Sequence, residues 1–220
     1  MLEQSLLCYG DSNTWGYQPL SGARLERSKR WPTLLASSLG EGYHVIAEGL
    51  NGRTTAWNEP FRPGRNGSEA LLPILESHAP SSLLIIMLGT NDLKHHLNVS
   101  AYESARGLST LIKIAQKSEA GIDAKPPVVL VLAPPVFGAL SELMAHHFEG
   151  GQDQSRHLPR HYRQVCTDLG CHFFDTNAVV GVGADGIHLD AAGHRLLAEA
   201  VAPLVGQLIG RDCAETLAPS

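Results

Sequence analysis

The sequence predicts a three-layer α/β domain in which a five-stranded parallel sheet is covered by helices on both faces. Three observations predict it. Short aliphatic runs recur along the chain, stretches of helical spacing fill the gaps between them, and 43% of the 220 residues are hydrophobic, enough to fill a sizeable core without staples. Strands that alternate with helices in this way pair in parallel through right-handed crossovers.

Taken in order, the strand-like runs are residues 6–9, 43–47, 83–88, 128–133 and 172–174. The third and fourth are almost continuously apolar, as strands buried on both faces are. Between them, helices are expected at 31–39, where Pro32 stands near the start and Gly40 after the end, and at 68–77, interrupted by Pro73. Another is expected from Ser100, where Ser100-Ala101-Tyr102-Glu103 fits a capping box and Ala105, Leu108, Ile112 and Ala115 keep helical spacing. A fourth spans 154–169. The last is capped by Asp190, carries the apolar stripe Leu196, Leu197, Ala200, Val201, Leu204, Val205 and Leu208, and is expected to end at Gly210. Residues 1–210 thus read as one domain and 211–220 as a loose tail. Four irregular stretches, 18–30, 57–67, 119–127 and 137–151, are long enough to be lids, binding loops or contacts.

The charge balance is 17 basic against 22 acidic residues, a net of −5, so no basic field favours nucleic acid as a partner. No basic-then-apolar leader opens the chain, and the run 83–88 is far below the roughly 18 residues that span a bilayer. Cys8, Cys166, Cys171 and Cys213 are scattered without metal spacing and are expected to be reduced, in a cytoplasmic protein.

In open α/β sheets ligands meet the carboxyl ends of the strands. Gly10-Asp11-Ser12-Asn13-Thr14-Trp15-Gly16 follows the first strand, Gly49-Leu50-Asn51-Gly52-Arg53-Thr54 the second, and Gly89-Thr90-Asn91-Asp92 the third, while Asp185-Gly186-Ile187-His188-Leu189 precedes the last helix. A serine hydroxyl needs a base to take its proton, and the base needs a partner to fix its tautomer. Ser12, His188 and Asp185 can fill those roles, with the carboxylate folding back across one turn to the imidazole. Donors for a developing oxyanion are the N–H groups of Ser12 and Gly52 and the amide of Asn91. Asp11 reads either as an anchor shaping the turn beside the substrate or as a solvent-exposed residue, and Trp15 and Trp57 either line the substrate mouth or pack in the ordinary way. Arg53 and Thr54 either brace the second block or cover the surface.

These four blocks, in this order from about residue 6 to 205, resemble the SGNH (GDSL-type) hydrolase superfamily, whose domain is flavodoxin-like. The resemblance implies the nucleophile at Ser12, oxyanion donors at Gly52 and Asn91, and acid and base at Asp185 and His188. The family's usual leucine is Asn13 here, at a position read as carrying no chemistry. The wording of the blocks is similar to the arylesterase and acyltransferase branch, which includes mycobacterial acyltransferases with perhydrolase activity. That likeness implies short-chain acyl esters as substrates, acyl transfer to alcohols or peroxide, no cofactor, and a homo-oligomer. A carbohydrate acetyl esterase, a thioesterase and an inactive acyl- or sugar-binding module are the alternatives.

Two patterns point elsewhere and are set aside. Gly181-Val182-Gly183-Ala184-Asp185-Gly186 matches a dinucleotide fingerprint but has no βαβ unit after it and overlaps the block holding Asp185, so it reads as a flexible approach to that residue. His95-His96, His146-His147 and the pair His157 and His161 lack a third ligand, so no metal is expected.

Overall fold

Side chains on a strand alternate between faces, and here both faces are apolar, so each strand must be covered twice. The computed structural model, which describes residues 3–215 and the side chains of 3–209, satisfies this with two separate cores. Strands β1 (Gln4–Gly10), β2 (Tyr43–Gly49), β3 (Leu83–Met87), β4 (Val128–Ala133) and β5 (His172–Asp175) form one parallel sheet in the order β2-β1-β3-β4-β5. Around it lie α1 (Ser12–Trp15), α2 (Trp31–Leu39), α3 (Gly67–Ser77), α4 (Ala101–Gln116), α5 (Glu142–His147), α6 (Gly151–Leu169) and α7 (Ala191–Glu215).

On one face Leu7 and Tyr9 of β1, Leu84 and Ile86 of β3 and Val131 of β4 meet α3, α4 and α6 through Leu71, Leu108, Ile112, Leu158 and Tyr162. On the other, Leu6, Cys8, Leu83, Ile85 and Leu130 meet Trp31 and Leu35 of α2 and Leu197, Val201 and Val205 of α7. Each fully buried Leu or Ile contributes roughly 1.5–3 kcal/mol. Cys8, fully buried, behaves as one more apolar side chain, and burial pushes its thiol pKa up.

The expected strands and the three-layer class stand as anticipated, and helix ends follow local chemistry. The capping box at Ser100 is formed on both sides: its Oγ accepts from the Glu103 N–H at 3.2 Å, and Glu103 Oε2 accepts from the Ser100 N–H at 2.9 Å. Asp190 Oδ1 accepts from the Gly193 N–H at 2.8 Å, as a cap does.

Some expectations need correcting. The second expected helix begins at Gly67 and runs unbroken through Pro73, whose ring stands on the exposed face where water can serve the carbonyl it frees. Residues 137–151, read as irregular, include α5, too short for its periodicity to register. Helix α7 does not stop at Gly210 but continues to Glu215, because glycine inside a helix costs only about 1 kcal/mol. The first part of the expected tail is therefore helical, and residues 216–220 lie outside the described residues. Among the described residues no helix is long and apolar enough to cross a membrane.

Candidate active site

The strand order reverses between β1 and β3, and the crevice at such a point is where α/β sheets hold ligands. Ser12 leaves β1 there as the first residue of α1. Asp11 caps that single turn, its Oδ1 accepting from the Asn13 N–H at 2.9 Å, so the serine is held at the carboxyl end of the sheet.

His188 arrives from the far end of the chain. Its Nε2 is 2.9 Å from Ser12 Oγ and its Nδ1 is 2.7 Å from Asp185 Oδ2. The other carboxylate oxygen of Asp185 accepts from the N–H groups of Ile187 and His188, both at 2.9 Å. Burial works to raise the Asp185 pKa, but the hydrogen bonds from His188 and the two backbone donors outweigh it and hold the carboxyl below its ordinary value. Tyr17 stacks on the imidazole with ring centroids 4.2 Å apart. Here is a base touching a hydroxyl, with an ionised partner on its opposite nitrogen.

The loop that carries this pair is stitched rather than free. Gly183 N–H donates to the His188 carbonyl at 2.7 Å, Gly138 N–H to the Gly186 carbonyl at 2.9 Å, and Ser141 N–H to the Asp185 carbonyl at 3.1 Å. The glycine run at 181–186, expected to be a flexible approach, is in fact a hydrogen-bonded turn.

Asn13 is the residue that sequence reasoning passed over. Its Oδ1 accepts from the Leu189 N–H at 2.9 Å, and its Nδ2 reaches the Ile187 carbonyl at 3.5 Å. Only 1% exposed, it grips the backbone on both sides of His188 from the position next to Ser12. The signal for it was its own departure from leucine: a buried amide beside the nucleophile needs partners.

Gly52 and Asn91 come to the same crevice from β2 and β3. Gly52 sits at φ +85°, a backbone that favours glycine. Gly52 is buried, and among the described residues neither its N–H nor that of Ser12 meets a protein acceptor, so both are free to donate into the cleft. Asn91 Nδ2 donates to the Arg53 carbonyl at 3.1 Å and to Asp11 Oδ2 at 3.3 Å. Burial pushes the Asp11 pKa up to about 6, against the Asn13 N–H and the charges of His188 and Arg53. Asp11 therefore faces Asn91 from inside the protein rather than lying open to solvent.

Behind Asn91, Asp92 is a strut. It accepts from the Thr55 N–H at 2.8 Å, the Thr55 hydroxyl at 2.6 Å and the Ser104 hydroxyl at 2.7 Å, and Ser104 continues to Tyr162 at 2.9 Å. Burial raises its pKa to about 6, with the Thr55 and Ser104 bonds resisting. The second and third blocks are thereby fastened to α4 and α6. Gly89, at φ +125°, makes room, since a Cβ there would sit 2.1 Å from the Tyr162 hydroxyl.

Arg53 is buried and braces the second block: its Nη1 donates to the carbonyls of Gly10, at 2.9 Å, and Glu48, and its guanidinium lies 4.1 Å from the Tyr9 ring centre. Thr54, also buried, bonds the carbonyls of Trp57 and Arg65. Half-buried Trp15 carries the Arg24 guanidinium over its ring at 4.6 Å, and Trp57 turns its indole nitrogen toward Gly107 of α4. Of the histidines set aside above, His96 pairs with Glu59 and His157 lies near Asp153 one turn earlier on α6. Among the described residues no cluster of three or more His, Cys, Asp or Glu could hold a metal ion.

Residues 8–196 match the model of the GDSL-like lipase/acylhydrolase family. The chain belongs to that family. A carbohydrate acetylesterase family member from Sinorhizobium meliloti is 36% identical, with a TM-score of 0.90 over 94% of this chain and 99% of that one. The native M. smegmatis aryl esterase is 37% identical, with a TM-score of 0.88 over 93% of this chain and 99% of its own. A member of the lipolytic protein G-D-S-L family from Veillonella parvula, 15% identical with a TM-score of 0.66 over 91% and 97%, shares the fold. No curated protein sequence matches the chain.

Proposed function

We propose that the protein is a serine esterase that cleaves short-chain, acetyl-type acyl esters through an acyl-Ser12 intermediate. The observation that carries this reading is the continuous relay from Ser12 Oγ through the His188 imidazole to Asp185, with steps of 2.9 and 2.7 Å. Ser12 Oγ attacks the ester carbonyl while its proton passes to His188 Nε2, and Asp185 stabilises the imidazolium that results. The oxyanion is received by the N–H groups of Ser12 and Gly52 and by Asn91 Nδ2. Collapse breaks the bond to the alcohol, which takes the proton from His188. Water, activated by the same imidazole, then releases the acid and restores the serine; an alcohol or peroxide in its place receives the acyl group instead. Asp11, Trp15 and Trp57 are assigned to the walls of the substrate site, Asp11 through its hold on Asn91.

The Sinorhizobium relative favours one second reading, in which the acetyl group sits on a carbohydrate. Hydrolysis of p-nitrophenyl acetate, butyrate and octanoate by the wild type and by Ser12→Ala tests the main reading. A preference for acetate together with a loss of about 1,000-fold or more in the variant supports it. Equal inertness of both proteins, with no covalent uptake of an organophosphonate, transfers the chain to the class of acyl- or sugar-binding modules.

The assembly we propose is a homo-oligomer, supported by large apolar side chains left open on loops, Phe61 at 76% exposure and Leu20 at 70%. A monomeric mass by light scattering refutes it. A reducing, cytoplasmic setting is supported by the thiols of Cys8, Cys166 and Cys171, which are all free.

A further inference from the structure

The irregular stretch after the second block places the Arg62 guanidinium and the stem of Arg65 beside Gly52. Glu59, buried, fixes this loop: it accepts from Lys94 Nζ at 2.6 Å, His96 Nε2 at 2.9 Å and the Phe61 N–H at 3.3 Å, and its carbonyl accepts from the Arg62 N–H at 3.3 Å. The loop returns through the Thr54 N–H, which donates to the Arg65 carbonyl at 2.9 Å. As a result a side chain at Gly52 would meet Arg62 Nη1 at 3.1 Å and Arg65 Cγ at 3.7 Å.

Neither cation is neutralised. Arg65 uses its Nε on the Asn51 carbonyl at 3.1 Å and its Nη1 on the Pro63 carbonyl at 2.8 Å, both uncharged partners. Among the described residues no carboxylate forms an ion pair with Arg62 or Arg65. Glu59, which attracts Arg65, is already taken by Lys94 and His96. Burial and the neighbouring charge of Arg62 both lower the Arg65 pKa. Two guanidiniums that repel one another, in a chain whose net charge is −5, are an arrangement that an anion relieves.

We propose that Arg62, backed by Arg65, selects esters that carry a carboxylate beside the scissile bond. This rests on the esterase reading above, in which Gly52 supplies an oxyanion donor, so a charge at Arg62 stands at the margin of the same cleft. Arg62 touches the substrate's anionic group and takes no part in bond making. The guanidinium fork suits a carboxylate better than an ammonium does.

The test uses two matched ester pairs. On the acyl side, 4-nitrophenyl hemisuccinate is compared with 4-nitrophenyl butyrate; on the alcohol side, 4-acetoxybenzoate with its methyl ester. The quantity read is the ratio of kcat/KM for the anionic over the neutral ester, in the wild type, R62Q and R62K, at low and high NaCl. The inference expects the ratio for one pair to fall about 10-fold in R62Q, to recover in part in R62K, and to fall with salt in the wild type. Which pair responds tells which side of the ester bears the carboxylate. Ratios equal in wild type and R62Q for both pairs overturn it. Cleavage of the neutral esters reports on the esterase reading by itself. NMR titration of succinate monomethyl ester and of 4-acetoxybenzoate into S12A and S12A/R62Q needs no turnover: weaker binding of either in the double variant supports the inference, and equal binding of both overturns it.

Discussion

Replacing Asn13 by leucine tests whether the base is held in place by this one amide. The substitution removes the acceptor of the Leu189 N–H, at 2.9 Å, and the donor to the Ile187 carbonyl, at 3.5 Å, in a region closed to water. A buried N–H left without a partner costs about 1–3 kcal/mol, and the longer contact adds little. For a chain of this size that predicts a fall in Tm of roughly 2–12 °C. The catalytic consequence is separate. Residues 187 and 189 flank His188, so loosening both lets Nε2 drift from its 2.9 Å contact with Ser12 Oγ. Misplacement of a base on this scale lowers kcat by about 10–100-fold with KM nearly unchanged. The assay is kcat and KM on p-nitrophenyl acetate at a temperature where circular dichroism shows both proteins folded, with organophosphonate labelling followed in parallel. Labelling should slow in step with kcat, since both need the same activated hydroxyl. Wild-type kcat in a folded Asn13→Leu protein would refute the reasoning, because the leucine side chain would then serve the site as well as the amide does.

Further outcomes follow from the same geometry. Asn91→Ala should lower kcat by about 100- to 1,000-fold and leave KM little changed, measured on the same ester; an unchanged kcat removes Asn91 from the oxyanion site. Asp185→Asn should cut kcat by about 10,000-fold with little effect on folding, since the carboxylate sets the imidazole tautomer, and steady-state kinetics beside circular dichroism separate the two effects. His194 is fully buried, accepts from the Trp31 N–H at 3.2 Å, and has its pKa pushed down to about 4 by burial. Below pH 6.5 the unfolded chain binds a proton that the fold refuses, so this residue costs stability as pH falls from 6.5 toward 4, up to about 2 kcal/mol by pH 5. His194→Gln should therefore show a smaller loss of Tm between pH 7 and 5 than the wild type; an equal loss refutes the assignment. Exhaustive EDTA treatment should leave ester hydrolysis intact, and a loss restored by zinc would point back to the histidines.

What the sequence made legible was whatever a short stretch of chain decides alone. The strands announced themselves because β3 and β4 are apolar on both faces, and Ser12, Gly52 and Asn91 were found because each follows a strand. Asp185 and His188 were legible as a pair because one turn joins them. Asn13 was not, since its partners lie 174 and 176 residues away and a local reading sees only an asparagine in a turn. Asp92 was passed over for the same reason: its worth depends on Thr55 and Ser104 arriving from two other elements. Sequence alone leaves Arg53 undecided between brace and surface, and its burial against Tyr9 makes it a brace. Glycine misleads at Gly210, because it marks where a helix can end without forcing the end, and at 181–186, where hydrogen bonds hold the run as a turn.

The site also explains why strand pairing must be exact to the residue. Asn91 gives one Nδ2 proton to the Arg53 carbonyl, from the block after β2, and the other, at 3.3 Å, to Asp11 Oδ2, from the block after β1. The amide is thus aimed by both neighbouring blocks. Of the two bonds, the one to Asp11 is the longer, and it ends on a carboxylate that burial already disfavours in its charged form. An oxyanion forming in the cleft can take over that proton while the Arg53 carbonyl keeps the amide in place. This works only in one register, with Gly10 opposite both Gly49 and Met87. A slip of one residue moves a strand by about 3.3 Å and turns its side chains to the opposite face. Such a slip would carry Asp11 out of reach of Asn91 and swap Leu7 and Tyr9 into the core that belongs to Leu6 and Cys8. The two apolar cores therefore fix the proposed oxyanion donors as well as the fold, and the same burial that stabilises the sheet sets the geometry of the proposed chemistry.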